Sequence, residues 1–78
     1  METKIKLNTM EEVKEFVDLA GHCDFDIDVF YNRVIIDAKS ILGVLSLDLA
    51  YVLTVQCHGE AEAFLEQISK FQPAEAVA

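Results

Sequence analysis

Basic residues are scarce in this sequence: six lysines and arginines stand against fourteen aspartates and glutamates, a formal net charge of −8. That balance disfavours nucleic acid and anionic membranes as partners and is compatible with basic protein surfaces. Long apolar runs are missing too. The longest, Ile41 to Leu45 and Leu49 to Leu53, fall far short of the roughly 20 residues a membrane span requires. The opening Met1-Glu2-Thr3-Lys4-Ile5-Lys6 has no signal-peptide hydrophobic core, so a cytoplasmic protein is expected. Cysteine is limited to Cys23 and Cys57, and with no other sign of an oxidising compartment both read as free thiols. No internal repeat, linker or low-complexity segment divides the chain. What is present is a 53% hydrophobic content spread over 78 residues. This argues against disorder and for one domain with a limited core, residues 1–78, frayed after about position 73.

Hydrophobic periodicity lays out the elements. Lys4 to Leu7 alternates polar and apolar as a half-buried strand does. Thr9-Met10-Glu11-Glu12 fits a capping box, and Met10, Val13, Phe16, Val17 and Ala20 then recur along one helical face. Gly21 stands where a left-handed helix cap would sit. From Asp24 to Tyr31 the period becomes two, with Asp24, Asp26 and Asp28 on one face. Asn32-Arg33 makes a tight turn into a strand over Val34 to Ile36, since asparagine tolerates positive φ. Ser40 caps a short helix from Ile41 to about Leu47, weakened by Gly43. Tyr51 to Cys57 alternates again, Gly59 opens a last helix through Phe71, and Pro73 stops it. The order β-α-β-β-α-β-α makes an α+β protein whose helices cover the apolar face of a sheet.

The segment Ala38-Lys39-Ser40-Ile41-Leu42-Gly43-Val44-Leu45-Ser46-Leu47 resembles the regulatory-serine motif of the histidine-containing phosphocarrier (HPr) family. Phe16-Val17 and Thr54 to Gly59 are similar to that family's first helix and last strand, so the resemblance runs from about Lys4 to Phe71. It implies an open-faced β-sandwich, sheet order 1-4-2-3, with three helices on one face, and a link to the phosphoenolpyruvate-dependent sugar phosphotransferase system. In the family, a Gly-Leu-His-Ala-Arg-Pro-Ala type motif precedes the first helix, and its histidine takes phosphate from Enzyme I. Counting back from Ser40 puts Thr9 at the histidine position, Glu11 at the arginine and Glu12 at the proline. Threonine has no imidazole, and two carboxylates would repel phosphate, so the phosphocarrier site is degenerate. The resemblance further implies that Ser40 is phosphorylated by an HPr kinase, and that Ile41, Leu42 and Leu45 dock protein partners such as a transcriptional regulator of carbon catabolism. No enzymatic activity and no cofactor are expected.

Each of these residues also has a plainer role. Ser40 as an ordinary N-cap is worth about 1 kcal/mol, and the leucines and isoleucine can pack inward. A degenerate interaction domain without phosphorylation is therefore the alternative. His22 and His58 have no neighbouring arginine and are expected to be polar caps. Asp24, Asp26 and Asp28 are spaced roughly 6.5–7 Å apart on a strand, too far for one calcium ion. They are expected to form a solvated face that reaches Lys4 and Lys6 across Thr54 and Gln56. His22-Cys23 and Cys57-His58 form the one zinc-like set, but structural zinc sites favour two to four intervening residues, and Cys57 shares a strand face with Leu53 and Val55. A small Cys/His metal-binding protein is the remaining alternative, and no metal site is assigned.

Overall fold

The computed structural model describes residues 1–73. Strand β1 covers Glu2–Ile5, helix α1 Met10–Gly21, β2 Ile27–Tyr31, β3 Val34–Asp37, α2 Ile41–Leu45, β4 Leu53–Cys57 and α3 Glu62–Gln67, followed by a 3-10 turn over Ile68–Phe71. The strands form one antiparallel sheet in the order β1-β4-β2-β3, the expected topology. Central β4 alternates strictly: Leu53, Val55 and Cys57 are buried, while Thr54 and Gln56 point to the other face. Its pairing with β2 sets Val29 opposite Val55, and its pairing with β1 sets Ile5 opposite Leu53. These side chains close onto Val13, Phe16 and Ala20 of α1 and onto Phe64 and Ile68. The rings of Phe16 and Phe64 meet with centroids 6.1 Å apart.

Several boundaries differ from the sequence pattern. β1 spans 2–5, so Lys6 leaves the sheet; its N–H donates to the carbonyl of Phe71 at 2.7 Å. β2 starts at Ile27, not Asp24; the Asp26 carbonyl accepts from His58 N–H instead. α2 stops at Leu45 because the Ser46 hydroxyl turns back to the carbonyl of Gly43 at 2.5 Å. α3 begins at Glu62, not at Gly59, and lacks a side-chain cap. Gly59 serves the packing of the turn before that helix. A Cβ there would lie 2.6 Å from atoms of Phe25, so the glycine lets that ring close over the turn. Asn32 does take a positive φ, 54°, between the paired residues Tyr31 and Val34. Beyond Pro73, which is buried, the expected frayed tail lies outside the described residues.

Gly21 is not a left-handed cap. No glycine among the described residues has positive φ; α1 runs through Gly21, and His22 and Cys23 close its end with N–H bonds to Leu19 and Ala20. A Cβ at Gly21 would meet nothing within 4 Å. Gly21→Ala is therefore expected to stabilise the protein by about 0.5–1 kcal/mol, since it removes backbone freedom from the unfolded chain at no steric cost. Urea unfolding of the two proteins checks this.

Candidate functional site

The first element of the candidate site is the start of α1. Thr9 is its N-cap, with extended backbone, and its hydroxyl oxygen accepts from the N–H of Glu12 at 3.1 Å. Glu12 reaches back and accepts from the N–H of Asn8 at 2.6 Å, one residue earlier than a capping box pairs it. The carbonyl of Thr9 receives the N–H of Val13. The N–H groups of Asn8 and Glu12 are thus already held by oxygens of the chain. Glu11 is exposed and Glu12 half-buried, adding negative charge to the same turn. Lys6 is tied down nearby, its ammonium donating to the Asn8 side chain at 3.0 Å and to the Leu49 carbonyl at 2.9 Å. A groove of about 370 Å³ opens alongside, lined in part by Lys6, Glu12, Lys70 and Phe71. The Lys70 ammonium is paired with the carboxylate of Glu15.

The second element is α2, which packs against α1 and β3. Ser40 is exposed, and its hydroxyl oxygen caps the helix by accepting from Gly43 N–H at 3.1 Å. Gly43 is required by packing: a Cβ there would stand 2.6 Å from the Ile36 side chain and 3.1 Å from the Ser40 hydroxyl oxygen. This closeness seats the helix on the edge of the sheet. It also divides the three candidate docking side chains. Leu42 points into solvent, 79% exposed, whereas Ile41 and Leu45 are half-buried and pack against the core around Val44. Met10 at the start of α1 is 53% exposed rather than part of the buried stripe. Helical periodicity alone does not reveal this, because the stripe overhangs the core in the first turn.

The histidines and cysteines go elsewhere. His22 lies at the far end of α1, about 18 Å from Thr9 along the twelve-residue helix. Its Nδ1 is 2.7 Å from the Asp18 carbonyl. His58 follows β4 at the sheet end opposite Leu53, and its Nε2 is 2.9 Å from the carboxylate of Asp28. Burial pushes the thiol of Cys23 above its ordinary pKa, with Lys39 opposing and Asp24 adding to the shift. Burial likewise raises Cys57, and the N-terminal ammonium lowers it in part. Both thiols are free, and among the described residues no three His, Cys, Asp or Glu side chains converge on a common point. The acidic face is also redistributed: Asp28 is met by His58, Lys4 reaches only Thr54 at 3.5 Å, and Lys6 has turned to the Asn8 loop.

An open four-stranded antiparallel sheet in the order β1-β4-β2-β3, backed by helices on one face with capped helix starts at Thr9 and Ser40, defines the class of open-faced phosphocarrier-like sandwiches. The family model described as the PTS HPr component phosphorylation site matches residues 10–72, and the chain belongs to the HPr family. Among solved structures, HPr-C-His from Thermoanaerobacter tengcongensis shares the fold with a TM-score of 0.73 at 23% identity, covering 87% of this chain and 84% of that one. The catabolite repression containing protein Crh of Bacillus subtilis, a domain-swapped intertwined dimer, superposes with a TM-score of 0.63 at 27% identity over 86% and 79% of the two chains. A comparison with curated protein sequences returns no match. No helix among the described residues is long and apolar enough to cross a membrane.

Proposed function

We propose that this HPr-family protein is a non-catalytic regulatory module of the phosphotransferase system. It carries no phosphate at Thr9 and works through Ser40 and the apolar surface of Ile41, Leu42 and Leu45. The observation that supports this most is Leu42: a leucine 79% exposed on a five-residue helix adds almost nothing to the fold. Its placement two residues after an exposed serine suits a surface that a protein partner covers. Thr9, Glu11 and Glu12 support the other half of the reading, since they supply no imidazole and place two carboxylates in the first turn of α1, where a phosphoryl group would meet them. The likeness to Crh supports a role in carbon-catabolite regulation in the cytoplasm, with an HPr kinase and a transcriptional regulator as partner classes. The net charge of −8 weighs against nucleic acid and membranes.

The Ser40 hydroxyl already serves as the cap of α2, and this favours a second reading: an interaction domain that is never phosphorylated. Intact mass after incubation with an HPr kinase and ATP separates the two. One added phosphate, absent from Ser40→Ala, is expected. The fold should survive the modification, because a phosphate oxygen can accept the Gly43 N–H as the hydroxyl does. No phosphate, with the kinase active on an ordinary HPr, would leave the interaction domain as the function.

A further inference from the structure

The helices pack on one face of the sheet, and the strand register shows what lies on the other. Lys4 stands opposite Thr54, Thr54 opposite Phe30 and Phe30 opposite Ile35, a row that crosses all four strands. Side chains alternate along a strand, so positions two residues away share that face. They form a second row: Glu2, Gln56, Asp28 and Asp37. Phe30 and Ile35 belong neither to the core nor to the apolar side chains packed against it, and Ile35 is 68% exposed. Helix α2 does reach β3, but from the other side, where Gly43 closes on Ile36.

This face therefore sets an apolar pair beside a line of carboxylates. Asp28 and Asp37 are directly opposed, and like charges so placed destabilise a strand pair. His58 Nε2 lies 2.9 Å from Asp28, whereas Glu2 and Asp37 form no ion pair among the described residues. The two rows hold one basic residue, Lys4, whose ammonium turns to the Thr54 hydroxyl at 3.5 Å. A second copy would bring three more carboxylates against one more lysine, so the face does not complement itself. It complements a cationic surface that carries apolar anchors. Its backbone groups are spent in the strand ladders, so a partner must dock through side chains, and helices are what cover flat sheet faces. Three strand spacings separate Glu2 from Asp37, about 14 Å, the length of about nine residues of helix.

We propose that the uncovered sheet face docks a basic amphipathic helix of a partner protein. Lysines or arginines of that helix meet Glu2, Asp28 and Asp37, and its apolar side chains cover Phe30 and Ile35. The face lies across the sheet from α2, so docking there neither depends on phosphorylation of Ser40 nor competes with the surface around Leu42.

The probe is a synthetic helical peptide of about five turns, built from leucine, lysine and alanine with its lysines beside one leucine stripe. It is titrated into the isotope-labelled full chain and followed by amide chemical shifts, with affinities from calorimetry. Shifts are expected at Lys4, Asp28, Phe30, Ile35 and Thr54, and not around Thr9 or Leu42. Asp28→Asn/Asp37→Asn is expected to weaken binding about tenfold. Glu62→Gln/Glu66→Gln removes the same charge from exposed positions of α3 and is expected to change it by less than about twofold. Phe30→Ser and Ile35→Ser, each checked for folding by thermal melting, should each cost about fivefold or more. Ile35, the more exposed, keeps the apolar half testable should Phe30→Ser unfold. No binding up to about 1 mM peptide, the weak end of specific association, would overturn the proposal. So would equal weakening by the two charge pairs, unchanged affinity in Ile35→Ser, or shifts confined to another face. Self-association that shifts the same amides without peptide, or contacts from residues 74–78 to Phe30, would overturn it by giving the face another occupant.

Discussion

Incubated with phosphoenolpyruvate and Enzyme I, this protein is expected to remain unphosphorylated, whereas an ordinary HPr accepts one phosphate. Three physical deficits act together. Thr9 offers a hydroxyl that is far less nucleophilic than an imidazole at neutral pH. Two amides flanking Thr9 are already engaged, Glu12 N–H by the Thr9 hydroxyl and Asn8 N–H by the Glu12 carboxylate. Glu11 and Glu12 place negative charge in the helix's first turn, where the family has a cation and a proline. Thr9→His alone should therefore not repair the site. It is expected to accept phosphate more than about a hundredfold more slowly than an ordinary HPr, the scale on which losing a single donor to developing charge is felt. Adding Glu11→Arg and Glu12→Gln should raise that rate, because together they remove both carboxylates from the first turn and put a cation in place of one. An acid-labile phosphate on the unaltered chain, read by intact mass, would contradict the assignment.

The second large effect is on stability. Phe16 is the bulkiest fully buried side chain, and it joins α1 to Phe64 at the start of α3. Phe16→Ala removes the transfer energy of a ring and leaves a cavity that a short helix cannot collapse to fill, a loss of about 3–5 kcal/mol. Domains of this size hold only about 5 kcal/mol or somewhat more in total. The variant is expected to be largely unfolded at 25 °C, which urea titration followed by circular dichroism would show. Leu42→Ala is the matching control. With Leu42 79% exposed, its removal should change stability by no more than about 0.5 kcal/mol. A loss of several kcal/mol from Leu42→Ala would mean that the side chain belongs to the core and not to a docking surface.

The elements most legible in the sequence are those governed by local chemistry. Thr9 and Ser40 cap their helices as their side chains dictate, and Asn32 takes the positive φ that a two-residue turn requires. Alternation in β4 identifies its buried face residue by residue. Boundaries fail where tertiary contacts override alternation. Asp24 to Asp26 carry the strand period but lie outside β2, because the turn at His58 and Gly59 closes over Phe25 there. Gly21 suits a left-handed cap by type, yet the helix end is closed by ordinary right-handed turns.

Legibility falls further at the candidate site. Ser40, Thr9 and the two glutamates can be located by counting, since the spacing between the two helix starts is a property of the chain. Ile41, Leu42 and Leu45 look alike as letters, and only the packing of Gly43 on Ile36 decides that Leu42 is the one left in water. The exposure of Met10 is hidden for the same reason. So is the distribution of charge. Which base answers Asp28 depends on where β4 ends, and this brings His58 to Asp28 and leaves Asp37 unanswered.

The proposed working surface is the one around Ser40 and Leu42 rather than the start of α1, and one comparison addresses that directly: the rate of Ser40 phosphorylation by an HPr kinase in Leu42→Asp and in Thr9→Val, both checked for folding by thermal melting. Leu42→Asp is expected to slow phosphorylation by about tenfold or more, as loss of an apolar anchor in an interface does. Thr9→Val, which loses only a helix cap worth about 1 kcal/mol, is expected to leave the rate unchanged. Equal rates in Leu42→Asp and the unaltered chain, or loss of the phosphate in Thr9→Val, would contradict it.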